Sequence, residues 1–447
     1  MERMTLRSMA LAAACSALCL GVLGTGAGAW AAEDLGASRT STSAVAKPPA
    51  ETKKAVKKAP KITITAPPRR VGKLVPGDFG MHSYQGKPGV PAGSYRHNCY
   101  PLWRTMNPAP GVYDWEDADQ IIAESRAMGF TDVMFSFCGT PEWAAKGPVA
   151  MPEREYWGKY ATAAPKDMGD WRTFLRAFVS RYSGQISTYE AWNEATAKYL
   201  WQGTPDEMAE MTEILYEVVA DLDPTARVVS ANSQMGEQPA WFRSFFPRYM
   251  AALAARNWPV DVVAIHSYAG HPDKIPPAEG VVKRAAVLGE FVRAAKKAGI
   301  PDRVQFWDTE TNYLGKADPR LQQAMVLRTY LDSWRNGFKR TYWYMWVKEA
   351  YPWLGIQMMD GAPGVVAYTT LMSWTVGSTF KGCGVDGALR VCEFVRGGKT
   401  FRIAYAVQYS GKQVMKLPTA TTVCEPTGAA CRTTKRATVT YLPVKIG

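Results

Sequence analysis

Two glutamates in the sequence each follow a short apolar segment that is typical of a β-strand. Glu194 ends the stretch YEAWNE at residues 189–194, and Glu310 lies within WDTET at residues 307–311. A single glutamate after a strand is most often a helix cap or a first-turn residue. Two carboxyl groups about 5–5.5 Å apart can instead cleave a glycosidic bond, because one protonates the leaving oxygen while the other attacks the anomeric carbon. The presence of both stretches together points to this chemistry.

The segments around this pair predict the elements that must position it. Short apolar stretches alternate with helical ones over about 300 residues, which predicts a (β/α)8 barrel. The candidate strands are Phe79–Tyr84, Leu102–Met106, Asp132–Phe137, Ser187–Trp192, Arg227–Ala231, Val260–His266, Arg303–Asp308 and Thr341–Trp346. Catalytic groups of such barrels stand at the C-terminal ends of the strands, where Glu194 and Glu310 would both lie. A doubly wound open sheet is the alternative, but no GxGxxG or GxxxxGK[ST] motif supports it.

The N-terminal region has the features of a secretory signal peptide over residues 1–31. Arg3 and Arg7 precede an apolar run, and Ala29-Trp30-Ala31 offers a cleavage pattern of small residues. No later stretch reaches about 18 apolar residues, the minimum for a membrane span. We therefore expect an exported protein, periplasmic or secreted, without stable membrane insertion.

The remaining chain divides into three parts by composition. Residues 32–72 form a basic Ala/Lys/Pro-rich linker, and residues 73–378 form the catalytic barrel. Residues 379–447 are rich in alternating strands and predict a small β-domain, with Asp386-Gly387 at a hairpin turn. We interpret this last part as a β-sandwich.

The formal net charge of +13 is unevenly distributed. Residues 33–72 hold nine Lys/Arg and three Asp/Glu, so a large share of the excess lies in the linker. Such a segment can contact an acidic polymer or a membrane surface, but a solvated linker is the simpler interpretation. No nucleic-acid partner is predicted, and the chain is expected to be a monomer.

Six cysteines remain after the predicted cleavage site: Cys99, Cys138, Cys383, Cys392, Cys424 and Cys431. An even number behind an export signal favours disulfides, and six cysteines allow 15 pairings. Short spacing suggests Cys383–Cys392 and Cys424–Cys431, which leaves Cys99–Cys138. Neither a CxxC motif nor a His-rich stretch accompanies them, so no metal site is predicted, and no cofactor is expected.

The motifs resemble those of the clan A glycoside hydrolases. These are WNE after the fourth strand, a glutamate ending the seventh, HSY at residues 266–268 and Trp346 ending the eighth. The segment NPAPGVYDWEDADQIIAESRAMGFTDVMFSFCGTPEWAA looks especially like family 39, with family 5 as the nearest rival. The resemblance covers about residues 79–375, and the trailing β-domain also suits family 39.

The resemblance implies roles for the carboxylates and for the residues that hold them. Glu194 would be the acid/base and Glu310 the nucleophile of a retaining mechanism. Asn193 would bond the sugar 2-hydroxyl. Tyr268 and Arg104 would keep Glu310 ionised, because hydrogen bonds and a nearby cation lower the pKa of a carboxyl group.

Three further residues are candidate contacts of the substrate. Trp346 would form the floor of a sugar subsite. His266 would touch Glu194 or the substrate, with a satisfied core histidine as the alternative. Trp143 would line a subsite, with core packing as the alternative.

These expectations favour an enzyme. The long loops and many aromatic residues suggest endo-action on a polysaccharide, with a bacterial exopolysaccharide as one candidate. The alternative is a non-catalytic glycan-binding barrel that serves polysaccharide export or assembly. Loss of either glutamate would have indicated that alternative, and both are present.

Overall fold

The computed structural model describes residues 62–83, 86–149, 158–236, 239–269, 277–313, 317–349, 355–409, 412–426 and 431–447. The predicted signal peptide and most of the predicted linker lie outside these residues. No helix in the described ranges is long and apolar enough to span a bilayer.

Eight parallel strands close into a barrel. They are β1 (Phe79–Ser83), β2 (Ser94–Asn98), β3 (Val133–Ser136), β4 (Thr188–Glu190), β5 (Arg227–Val229), β7 (Val262–His266), β8 (Gln305–Thr311) and β9 (Phe338–Trp346). A two-residue strand, β6 (Ser233–Gln234), pairs beside β7. Pairing of β1 with β9 and of β5 with β7 completes the ring. The predicted barrel is therefore confirmed.

Helices on the outside of the barrel connect most of the strands. They are Glu116–Ala127, Met168–Tyr182, Pro205–Leu222, Pro239–Ala255, Pro277–Lys297, Pro319–Arg335 and Pro363–Thr375. Local sequence fixes several of their starts. The Thr204 hydroxyl accepts a hydrogen bond from the Glu207 amide, the Glu207 carboxylate accepts one from the Thr204 amide, and Pro205 occupies the first turn. Such caps satisfy amide groups that have no partner within the helix.

The second barrel strand differs from its prediction. Strand β2 is Ser94–Asn98 and pairs with β1 and β3, whereas the predicted strand Leu102–Met106 contains a helical turn over Trp103–Met106. All five residues of β2 are buried although its sequence, SYRHN, is mostly polar. Apolar patterning could not identify this strand, because some of its polar side chains face a polar barrel interior.

The C-terminal part is one six-stranded antiparallel sheet rather than the predicted β-sandwich of two sheets. Its strands are β10 (Thr379–Asp386), β11 (Leu389–Arg396), β12 (Lys399–Ala406), β13 (Gln413–Cys424), β14 (Arg432–Val439) and β15 (Val444–Ile446), in the order β10-β11-β12-β15-β13-β14. One apolar cluster joins Phe394 and Ile403 to Trp334 of a barrel helix. A second cluster joins Val391 to Val439 and so connects both halves of the sheet. Apolar side chains therefore cover parts of both faces of this sheet, and a second sheet is not needed to form a core.

Three disulfides have the connectivity suggested by the spacing. Their Cα atoms are 5.3 Å apart in Cys99–Cys138, 4.0 Å in Cys383–Cys392 and 4.3 Å in Cys424–Cys431. The first joins the segments that follow β2 and β3, and the second joins directly paired residues of β10 and β11.

The end of the predicted linker belongs to the folded body. Thr65 forms a bridge with Cys383, and Val71 is buried. The Arg69 guanidinium donates hydrogen bonds to the carbonyls of Pro301, at 2.8 Å, and Val304, at 2.6 Å. The predicted linker, which ends at residue 72, therefore extends too far. Thr65, Arg69 and Val71 contact the folded body, although the composition of this segment resembles that of the residues before it.

Candidate active site

Glu194 and Glu310 meet at the C-terminal end of the barrel. Glu310 lies in β8, and Glu194 lies four residues beyond β4 in a left-handed conformation, with a φ of 49°. The Glu194 amide donates to the Asn232 side-chain oxygen at 2.9 Å, which holds this turn in place. One carboxylate oxygen of each glutamate lies within 4.8 Å of the other. A left-handed non-glycine residue costs about 1–3 kcal/mol and is often found at functional sites.

Three side chains donate hydrogen bonds to the Glu310 carboxylate. The Tyr268 hydroxyl lies 2.7 Å from Oε1, whereas the Asn98 amide and an Arg96 nitrogen lie 3.1 Å and 3.3 Å from Oε2. Burial raises the pKa of Glu310, and the nearby Glu194 acts in the same direction. Arg96 and Tyr268 oppose this shift, but burial outweighs them. The contact with Tyr268 therefore acts on this pKa in the expected direction, although burial has the larger effect.

The arginine beside Glu310 is Arg96 of β2 rather than the predicted Arg104. Arg104 lies in the turn Trp103–Met106 and lines a cleft of about 310 Å³ that includes Thr140, Lys159 and Tyr160. The misplaced second strand explains the error, because the arginine was sought after Leu102–Met106 instead of within β2.

Arg96 also binds two residues of the segment that leads to Glu194. Its Nε lies 3.1 Å from a carboxylate oxygen of Glu190, and its Nη2 lies 3.0 Å from the Asn193 side-chain oxygen. The same Asn193 oxygen also accepts a hydrogen bond from the Asn232 side-chain amide at 3.3 Å. These two donors hold the side-chain amide of Asn193 in one orientation. Arg96 and Glu190 are fully buried, and a buried charge of this kind persists only when it is paired. Sequence reasoning missed both residues and Asn98, although a carboxylate inside an apolar strand such as YEAW was a usable signal.

His266 lies between the two glutamates. Its Nδ1 is 2.8 Å from Glu194 Oε1 and 3.9 Å from Glu310 Oε2. Burial lowers the pKa of His266 to about 4, so the ring is neutral near pH 7. Burial raises the pKa of Tyr268 well above its usual value, so this hydroxyl keeps its proton and donates to Glu310. Of the two alternatives for His266, contact with Glu194 is the one present in the structure.

The two tryptophans occupy different positions. Trp346 ends β9 and is 6% exposed, and its ring nitrogen has no hydrogen-bond partner within the described residues. Trp143 lies in the turn after β3, where its ring nitrogen donates to the Asn107 carbonyl at 2.9 Å and its ring meets Trp103 edge-on. Trp143 thus packs against the core, and its contact with a substrate stays a prediction.

The site is better suited to moving protons than to holding a metal ion. Glu194, His266 and Glu310 form the one compact group of potential ligands within the described ranges. The Arg96 guanidinium, 3.3 Å from Glu310, would repel a divalent cation there. The arrangement can supply one carboxylate for attack and a second for proton transfer.

Several solved structures of glycoside hydrolases share this fold. A family 39 glycoside hydrolase from Bacteroides cellulosilyticus WH2 is 17% identical, with a TM-score of 0.62 over 84% of this chain and 82% of that one. A monomeric β-xylosidase from Caulobacter crescentus CB15 is 16% identical, with a TM-score of 0.54 over 79% and 83%. A family 30 endoxylanase from Clostridium papyrosolvens C71 is 14% identical, with a TM-score of 0.54 over 84% and 97%.

No protein-family model matches the sequence, and no curated protein matches it. At these identities the likenesses establish the barrel with its C-terminal sheet. The structures that share the fold include the family that the sequence motifs resemble.

Proposed function

We propose that this chain is a retaining glycoside hydrolase, with Glu194 as acid/base and Glu310 as nucleophile. The observation that carries the proposal is the approach of the two carboxylates, whose nearest oxygens lie within 4.8 Å. Retaining enzymes hold their carboxyl groups about 5–5.5 Å apart, whereas inverting enzymes need roughly 6.5–9.5 Å to admit a water molecule. The spacing here supports direct attack by one carboxylate.

In the first step, a Glu310 oxygen attacks the anomeric carbon while Glu194 gives its proton to the leaving oxygen. Arg96, Asn98 and Tyr268 orient Glu310 for this attack and favour its ionised form. With its own proton on Nδ1, neutral His266 donates to Glu194 Oε1 and leaves Oε2 to carry the catalytic proton.

In the second step, Glu194 acts as a base. It removes a proton from water, which attacks the glycosyl–Glu310 ester and releases the sugar with its original configuration. Asn193 bonds the sugar 2-hydroxyl, and Trp346 stacks beneath the ring as the floor of the subsite. The position of Trp346 at the C-terminal end of β9, the end of the barrel where the two glutamates meet, supports this role.

The substrate is a polysaccharide cut internally, with a bacterial exopolysaccharide as the candidate, and the enzyme is exported. The cleft beside Arg104 and Lys159 supports a chain that extends past the two glutamates, because it is formed by segments after β2 and β3 at the same end of the barrel. The β-xylosidase among the similar structures favours a β-linked substrate.

Matched glutamine variants test the proposal. Glu310→Gln keeps the shape but removes the nucleophile, so activity should fall by at least about four orders of magnitude on every substrate. Glu194→Gln removes the proton donor, so polysaccharide cleavage should fall by about 10²–10⁴-fold. An aryl glycoside with a good leaving group needs little protonation, so its first step should be spared in Glu194→Gln.

Proton NMR of early hydrolysis reads the configuration of the first product. Retention supports the double displacement. An inverted product, or full activity in Glu310→Gln, would overturn it. Polysaccharide binding with no release of reducing ends by the wild-type protein would favour the non-catalytic alternative.

A further inference from the structure

Charge is divided unequally between the barrel and the C-terminal sheet. Residues 379–447 hold 11 Lys/Arg and three Asp/Glu, a net charge of +8. Residues 73–378 hold 31 Lys/Arg and 33 Asp/Glu, a net charge of −2. The combined net charge of residues 73–447 is +6, a value that hides the difference between the two parts. The sheet is itself strongly basic.

The exposed positive charge is concentrated on the pair of strands β13 and β14, which together with Lys412 we term the basic ribbon. Strand β14 lies at the edge of the sheet. Four exposed cations of the ribbon are not paired with a carboxylate within the described residues: Lys412, Lys416, Lys435 and Arg436. Elsewhere in the sheet Arg402 pairs with Glu393. Within the described ranges, no carboxylate therefore neutralises the charge of these four side chains.

The strand register places two of these cations opposite each other. Lys416 and Arg436 are cross-strand partners, and like charges in such positions destabilise a sheet. Thr422 and Thr433 form a further cross-strand pair on the same ribbon. Hydroxyl groups beside uncompensated cations suit a ligand that carries both anionic groups and sugar hydroxyls. A bound anion would also relieve the repulsion between the two cations.

We propose that the basic ribbon binds an anionic polysaccharide, through carboxylate or sulfate groups, and holds it for cleavage in the barrel. The cleavage part of this inference rests on the proposed function. A glycan is the occupant that fits, because the barrel carries the proposed glycosidase site and its cleft is lined by two cations, Arg104 and Lys159, against one carboxylate, Glu142. The substrate class is thereby narrowed from polysaccharides in general to acidic ones.

Binding by the full-length mature chain tests the inference, with Glu310→Gln as the background so that the polymer is not cleaved. The probes are polygalacturonate, dextran sulfate, neutral dextran and double-stranded DNA. The ribbon variant combines Lys416→Gln, Lys435→Gln and Arg436→Gln. The matched control combines Lys283→Gln, Lys296→Gln and Lys297→Gln, which removes the same charge from exposed positions of a barrel helix.

The ribbon variant should lose on the order of tenfold in affinity for an acidic polysaccharide at low salt, with a shallower salt dependence, because cations on a polyanion act by counterion release. The control variant should keep its affinity. A comparison of the affinities for polygalacturonate and for dextran sulfate distinguishes recognition of carboxylate groups from recognition of sulfate groups. Equal loss in both variants, equal affinity for neutral dextran, or tighter binding to DNA than to either acidic polysaccharide would overturn the inference.

Activity separates this inference from the proposed function. In the wild-type background, the ribbon variant should hydrolyse a small aryl glycoside at an unchanged rate and an acidic polysaccharide more slowly. A protein that binds through the ribbon but cleaves nothing would refute the hydrolase and leave the ribbon site intact.

Discussion

In the barrel, Arg96 is 1% exposed, and its guanidinium is shared by Glu190, Glu310 and Asn193. In the C-terminal sheet, Arg436 is exposed and faces Lys416 across the strand pair. The first arginine is held in one geometry by several partners, which suits it to orient a reacting carboxylate. The second acts mainly through its charge, which suits it to attract a polymer. The same residue type therefore serves positioning in one region and attraction in the other.

The largest expected effect comes from removing these two arginines in turn. Arg96→Met leaves Glu190 and Glu310 buried without their cation, which should cost about 3–5 kcal/mol of unfolding free energy. Arg436→Met, at an exposed position, should change it by less than about 0.5 kcal/mol. Denaturant unfolding of both variants measures the difference.

A second substitution distinguishes a lost ion pair from a packing defect. Adding Glu190→Gln to Arg96→Met removes one of the two uncompensated carboxylates and should recover part of the loss, as a double-mutant cycle would detect. Similar losses of unfolding free energy in Arg96→Met and Arg436→Met would show that buried Arg96 contributes no more to stability than exposed Arg436.

A buried histidine of the barrel, His97, provides a second difference between the barrel and the C-terminal sheet. Burial lowers the pKa of His97 to about 3 from its usual 6.5, and residues 379–447 contain no histidine. Below pH 6.5 the unfolded chain takes up a proton that the folded chain refuses, so this contribution lowers stability as the pH falls toward 3. At pH 5 the loss should be about 2 kcal/mol.

His97→Gln isolates this contribution. Near pH 7.5 the variant should be less stable, because the contact between His97 and the Ser125 hydroxyl is lost. Between pH 7.5 and pH 5 its stability should fall by about 2 kcal/mol less than that of the wild type. An unchanged pH dependence would show that His97 takes up its proton in the folded state.

The sequence predicted those parts of the molecule that follow regular patterns. Apolar periodicity identified most barrel strands, and WNE with a glutamate at β8 identified the pair that the structure brings together. Spacing suggested all three disulfides, because two of them close short loops.

The polar interior of the barrel could not be predicted in the same way. Strand β2 carries Arg96 and Asn98 toward Glu310, so its inward positions are polar and its pattern does not resemble a strand. The partners of Arg96 lie 94 to 214 residues away in the sequence. Only the closed barrel brings them together, and no local pattern encodes that contact.

The smallest expected effect concerns the N-terminal segment, which contains both an arginine held by several partners, Arg69, and the basic stretch that precedes it. Its described end is anchored by Arg69, whose guanidinium contacts two carbonyls and lies 4.7 Å from the Phe306 ring. Deleting residues 33–60 removes most of the basic stretch without touching these contacts, so the melting temperature and the hydrolysis of a soluble aryl glycoside should stay nearly unchanged.

Deleting residues 33–72 is the matched comparison. It also removes Arg69 and the buried Val71, so it should cost several kcal/mol through lost packing and unpaired carbonyls. Thermal unfolding of both truncations decides the point, because a large loss in the shorter deletion would mean that residues 33–60 also pack on the folded body.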